Sequence, residues 1–178
     1  LEAAAKETRL DVLISTVRQK EPGLSQFPDI NSCAERMWPQ TLTTRCYQRR
    51  KTAAEFIIDD IDLPVVNPWN RNIRLSGIDF FKDGRAAVST FDGDVWLISG
   101  LDKGLRRVKW QRFASGLNEP QSLCIRDDEV FVFDRHGIIK LNDRNKDGEA
   151  DYYENFCSLP VQTVETREFA MDMHVMKD

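Results

Sequence analysis

Three features of the sequence predict a mainly β fold. Short runs alternate apolar and polar residues, Asp-Gly dipeptides separate several of them, and the plan repeats at an offset of about 45 residues. A four-stranded unit recurring every 40 to 50 residues or so is the mark of a propeller blade. The prediction is therefore a partial β-propeller: about two four-stranded blades plus the start of a third, preceded by an N-terminal helix. A β-sandwich is the alternative, because it too combines short strands with frequent turns.

Each element follows in order. "ETRLDVLISTVRQKEPG" sets Leu10, Leu13, Ile14 and Val17 on one helical face, and Pro22-Gly23 ends it, so residues 1–22 are expected to be helical. The opening "LEAAAKET" has the composition of a helical linker, which sets residues 1–7 apart. Residues 23–54 read as an irregular linker, loop-like from Leu24 to about Ala54. From 55 to 178 the texture is β, opening with the weakly alternating "AEFIIDDIDLP". Strands are expected at Gly77–Phe81, Ala86–Thr90 and Asp94–Ile98, joined by turns at Asp83-Gly84 and Asp92-Gly93. A fourth strand in "RRVKWQRFAS" alternates Val108 and Trp110, then slips to Phe113.

The second copy carries strands at Ser122–Arg126, Glu129–Asp134 and Ile138–Leu141, with a last one near Tyr152–Phe156. "FAMDMHVMKD" opens a third copy, in which Met171-Asp172 matches Ile78-Asp79. The recurrence of Asp79 and Asp172 predicts a hydrogen bond repeated from blade to blade. Two blades and a start do not close a ring, so the expected partners are the remaining blades or another chain that completes it.

Composition narrows the function classes. Twenty-nine acidic against 25 basic residues give a net charge of -4, which offers no electrostatic case for nucleic acid or an anionic membrane surface. No apolar run approaches the ~20 residues of a membrane-spanning helix. Cys33, Cys46, Cys124 and Cys157 match neither zinc-site nor C-x-x-C spacing. Cys124, inside "SLCI", reads as a free buried thiol; in an oxidising compartment Cys33–Cys46 and Cys124–Cys157 are the local pairings.

The strongest motif is "DRNKDGEADYYE", Asp143 to Glu154. A calcium loop of the EF type takes ligands from positions 1, 3, 5, 7, 9 and 12 with glycine at 6. Here those are Asp143, Asn145, Asp147, the Glu149 carbonyl, Asp151 and Glu154, with Gly148 at the turn and Ala150 as the apolar anchor. The set is all oxygen and ends in a carboxylate suited to bidentate binding, as calcium's high coordination number requires. The competing account is a polar hairpin whose Asp, Asn and Gly only make turns. Because the loop lies between strands, not helices, the expected role is a structural ion tying the third strand of a blade to the fourth, not a switch.

Several phrases together carry a resemblance: "PQTLTTR", "NPWN", "GIDFFKDGRAAVSTFDGDVWLISGLD", "KWQRFASGLNEPQSL", "LNDRNKDGEADYYENF" and "EFAMDM". They resemble the N-terminal blades of bacterial membrane-bound-dehydrogenase-like, haem-binding-domain-associated propeller proteins, distantly similar to quinoprotein sugar dehydrogenases. The resemblance runs from Pro39 to about Met173. It implies an exported protein, periplasmic or extracellular, with further blades and a c-type cytochrome module; haem or quinone would sit on parts outside this chain. With no C-x-x-C-H, the sequence has no covalent haem site of its own. The segment is expected to be a non-catalytic scaffold within an oxidoreductase, the alternative being a ligand- or protein-binding propeller without redox chemistry. No Ser–His–Asp set, carboxylate pair or phosphate loop stands out. His136 is expected in a solvated turn and His174 at a strand position, with a channel-facing role the less favoured reading. Trp38, Trp69, Trp96 and Trp110 read as blade core, with a sugar-binding surface the minor alternative.

Overall fold

The structure, a computed structural model, describes residues 35–48, 58–102, 104–159 and 171–176, all within one compact unit, Glu35–Asp178. The helix expected over residues 1–22 lies outside the described residues. Among those described there are strands and no helix. In chain order they are β1 (Thr41–Thr44), β2 (Cys46–Gln48), β3 (Asp59–Ile61), β4 (Leu75–Phe80), β5 (Ala86–Thr90), β6 (Val95–Ser99), β7 (Val108–Ala114), β8 (Ser122–Arg126), β9 (Glu129–Asp134), β10 (Gly137–Asn142) and β11 (Tyr152–Cys157).

Two antiparallel meanders dominate. The first sheet has the order β1-β7-β6-β5-β4 and the second β11-β10-β9-β8; β2 and β3 form a separate ribbon. Both meanders exist because tight turns join neighbouring runs. Gly93 has a φ of 93°, and a Cβ there would collide with the Leu117 carbonyl oxygen, so only glycine fits the β5–β6 turn. The β8–β9 turn uses Asp127 and Asp128, both left-handed at φ 52° and 63°, the pattern of a two-residue turn that matches strand twist.

The two sheets pack face to face over one core: Phe81, Ala87, Val95, Leu97, Phe113, Ala114, Leu117, Leu123, Val130, Val132 and Leu141. Across the first sheet, Ile73, Ala86, Val88, Trp96, Ile98, Val108 and Trp110 form a second core against Leu42, Ile61, Leu63, Trp69 and Leu101. Every residue of β5 is accordingly buried. Each fully buried Val or Leu contributes ~1.5–3 kcal/mol relative to exposure.

Residues 24–54, expected to be loop-like, contribute β1 and β2. β1 pairs with β7 from Thr41↔Gln111 to Thr44↔Val108, and the Trp110 indole N–H donates to Thr44 Oγ1 at 2.8 Å. "TLTT" carries one apolar residue and becomes a strand because β7 offers it an unpaired edge. The apolar slip at Phe113 coincides with a register shift: Val95 pairs with Ala114 but Trp96 with Arg112. The bulge sends both Phe113 and Ala114 into the inter-sheet core.

Candidate metal loop and the groups around it

The loop between β10 and β11 closes through a hydrogen bond from the Asp151 N–H to the Asn142 carbonyl, 2.9 Å. Inside it, side-chain oxygens catch successive backbone N–H groups. The Asp143 carboxylate accepts from Asp147 at 3.2 Å and Gly148 at 2.8 Å. Asn145 Oδ1 accepts from the Asp147 N–H at 3.0 Å, and Asp147 Oδ1 from the Glu149 N–H at 2.8 Å. Asp151 Oδ2 accepts from Arg144 at 2.8 Å and Asn145 at 3.2 Å. Short oxygen-bearing side chains curl a backbone this way because they mimic the carbonyl of a turn. Lys146 and Gly148 take the positive φ values, 61° and 90°, that finish the curl.

Glu154 stands on β11 and its Oε2 accepts from Asn142 Nδ2 at 3.2 Å, which places it at the base of the loop. Asp143, Asn145, Asp147 and Asp151 thus share one loop, as their spacing predicts. Among the described residues no three His, Cys, Asp or Glu side chains gather as a metal-holding group. The oxygens that remain are the hard donors calcium takes, and they include the Asn145 amide and a backbone carbonyl besides carboxylates. In donor chemistry the loop fits calcium; in this structure its carboxylates are engaged with backbone N–H groups.

Three consecutive residues tie this loop to the neighbouring sheet. Gln111 Nε2 of β7 donates to the Gly148 carbonyl at 2.7 Å. The Ala150 N–H donates to the Phe113 carbonyl at 2.8 Å, and the Ala150 side chain packs on the inter-sheet core. Between them, the buried Glu149 carboxylate accepts the N–H groups of Met37 and Trp38, each at 2.7 Å, and lies 3.4 Å from Arg36 Nε. A Cβ on residue 148 would strike the Gln111 amide, which makes Gly148 necessary for contact as well as for φ. The loop thus joins β10 to β11 and also bridges the two sheets. Sequence spacing gave no signal of Glu149's carboxylate, since its partners lie more than a hundred residues away.

A second polar cluster was not legible at all. Asp94, fully buried, accepts from Arg112 Nη2 at 2.8 Å, Arg71 Nε at 2.8 Å and Ser115 Oγ at 2.7 Å. Arg112 lies under Trp38, its guanidinium 4.4 Å from the ring centre, with Trp69 5.6 Å away. Tyr153 reaches across from β11: its hydroxyl accepts the Ser115 N–H and donates to the Ser115 carbonyl, both at 2.9 Å. Desolvation, the largest influence, pushes this phenol above its usual value. The arrangement is a buried charge clamp. Of the tryptophans, Trp96 and Trp110 are core, while Trp38 and Trp69 frame Arg112.

Asp79 and Asp172, expected to repeat one hydrogen bond from blade to blade, both bond β8 but take different donors. Asp79 Oδ2 accepts the Ile125 N–H of β8 at 2.7 Å, and Asp172 accepts from Ser122 Oγ of β8 at 3.4 Å. Each also accepts the N–H of the next residue, Phe80 or Met173, at 2.8 Å. β4 approaches β8 so closely that a Cβ on Gly77 would sit 3.0 Å from the Leu123 nitrogen. A shallow cleft of about 380 Å3 lies here, lined among others by Ser76, Asp79, Ser122, Asp172 and His174. His174 pairs with Asp172 at 2.7 Å but is 82% exposed, and Ser122 bonds Asp172 rather than the imidazole, so no nucleophile–base pair forms. His136 lies exposed in the β9–β10 turn, as expected.

The pairing Cys124–Cys157 is overturned. The two residues lie on β8 and β11, opposite edges of one sheet, roughly 14 Å apart at ordinary strand spacing, whereas a disulfide needs Cα atoms within ~7 Å. Cys46, Cys124 and Cys157 are free thiols, and burial raises the Cys124 pKa. Cys33 falls outside the described residues.

No protein-family model, curated protein or solved structure matches the chain.

Proposed function

We propose that the chain is a calcium-stabilised scaffold segment of a β-propeller, about two blades and the start of a third, within an exported dehydrogenase-like redox protein. The single observation that carries the propeller part is the meeting of first strands. β4 and β8 open their sheets, lie against each other through Gly77, and are tied by Asp79 to Ile125. Residues 171–176 also approach β8, where the Ser122 hydroxyl donates to Asp172 and accepts the Met173 N–H. Successive units meeting by their first strands is how blades surround an axis. A two-sheet sandwich has no such reason to begin a third unit at the same strand.

Calcium is the resident ion of the reading, held by Asp143, Asn145, Asp147, the Glu149 carbonyl, Asp151 and Glu154. It offsets the loop's negative charge and supplies no redox or acid–base chemistry. The redox part rests on the resemblance of the quoted phrases. On that reading, haem or quinone is carried by other blades or a c-type cytochrome module, and the protein works in the periplasm or outside the cell. On that reading the blades described are scaffold, and the chemistry belongs to the other blades or the cytochrome module.

Two measurements test this. Calcium should raise the melting temperature and chelation reverse it; no shift in either direction sinks the calcium assignment. An optical spectrum and extraction for haem and quinone from the full-length protein should find one of them. If neither is present, the redox reading falls and a ligand- or protein-binding propeller takes its place.

A further inference from the structure

We propose that Glu149 is a two-ended coupler, through which cation binding in the 143–154 loop holds residues 36–38 down as a strap across the inter-sheet seam. The proposal rests on the calcium reading. At the seventh place of the motif, the residue offers its carbonyl to the ion. Its carboxylate points the other way and receives the backbone N–H groups of Met37 and Trp38, both at 2.7 Å. The two functions belong to one residue whose neighbours are pinned: the Gly148 carbonyl by Gln111 at 2.7 Å, and the Ala150 N–H by Phe113 at 2.8 Å. A shift of the loop therefore moves the carboxylate with it.

Besides those bonds, Arg36 Nε lies 3.4 Å from the same Glu149 carboxylate, and Trp38 lies over the Arg112 guanidinium. Met37 is 72% exposed, and Arg36 Nε and Nη2 are buried without a hydrogen-bond partner. The carboxylate they face is itself only 8% exposed, so it depends on those N–H donors as they depend on it. What the strap secures is substantial. Trp38 covers Arg112, whose guanidinium binds Asp94, and the chain then runs directly into β1 on the edge of β7. Without a cation, Asp143, Asp147 and Asp151 crowd negative charge into one loop and loosen it. With one, the loop stiffens and both donors keep their acceptor. Coupling of this kind is reciprocal: an undocked strap must weaken cation binding by the factor by which the cation strengthens docking.

The test uses the full chain with calcium as the probe. Trypsin cleavage at Arg36–Met37, followed by mass spectrometry, reads the strap; calorimetric calcium titration reads the loop. Calcium should slow that cleavage and a chelator restore it. Met37→Pro removes one donor to Glu149 at an exposed position and touches no residue of the loop. It should weaken calcium binding about fivefold or more, the range of ordinary site-to-site coupling; since trypsin does not cut an Arg–Pro bond, the cleavage arm is read on the unaltered chain. If calcium binds, yet cleavage is unaffected and Met37→Pro binds as tightly as the unaltered chain, the coupling is wrong and the metal site stands. If no calcium binds at all, the metal reading fails and takes the coupling with it.

Discussion

The two meanders share a plan and differ in what covers them. The first is enclosed on both faces: Ala87, Val95 and Leu97 face the second sheet, while Val88, Trp96 and Ile98 face Leu42, Ile61 and Trp69. The second buries Leu123, Val130, Val132 and Leu141 against the first. On its other face Phe156 is 52% exposed, meeting Phe131 edge-on at 5.0 Å. Their polar devices differ in the same sense. The first sheet carries a buried charge clamp at Asp94, and the second carries the partly solvated loop 143–154. A charge enclosed within a sheet is held in place by fixed partners; a partly solvated loop at a sheet's edge can leave room for an exchangeable ion.

The largest test of that contrast is a pair of truncations. Trp96→Ala should cost ~3–5 kcal/mol, because a fully enclosed ring leaves a cavity, whereas Phe156→Ala should cost under about 1 kcal/mol. Urea denaturation measures both, and comparable losses would mean that Phe156 is packed as closely as Trp96. Asp94→Ala comes next, at ~3 kcal/mol or more, because it strands Arg112 and partly buried Arg71 without their counter-charge. A loss near zero would remove the clamp from any account of the first sheet. Asp147→Ala should lower stability by about 2.7 kcal/mol in saturating calcium, a magnitude set by ligand linkage at ~100 times the dissociation constant. In chelator the loss should be smaller, limited to the Asp147 bonds with the Glu149 N–H and Asn145 Nδ2; thermal melts in the two conditions compare them.

The smallest effect is on pH. The Arg74 side chain, hydrogen-bonded to Asp92 at 2.7 and 2.9 Å, holds that carboxyl below its usual value. Because the folded pKa is the lower one, the contribution is present above about pH 4, the range of a free Asp, and fades as pH falls through the folded value. Arg74 is largely exposed, so solvent screening keeps the pair's contribution small. Arg74→Gln should flatten the acid limb of the stability curve slightly; a steeper limb would contradict the sign.

The strands of the two meanders could be read closely. Ser122–Arg126 and Glu129–Asp134 were expected with the bounds observed, and Asp92-Gly93 does turn the chain between β5 and β6. Alternation and turn chemistry are local, so a single sequence displays them. β1 was not legible, because "TLTT" is a strand only in the presence of β7's edge. The calcium-type spacing was legible as a spacing. The bond from its seventh residue to Met37 and Trp38 was not, because nothing along the chain announces which backbone N–H groups will approach.

By itself the sequence determined the mainly β character, the repeated four-strand plan, the turn positions and the clustering of oxygen donors in one loop. These depend on steric preferences and periodicities spanning a few residues. Only the tertiary structure decided that β4 and β8 meet, that Asp94 gathers Arg71 and Arg112, that Cys124 and Cys157 stand on opposite edges, and that Glu149 reaches the strap. Those outcomes follow from how two sheets exclude water from a shared face. Such packing brings together residues whose separation in sequence carries no trace of their contact.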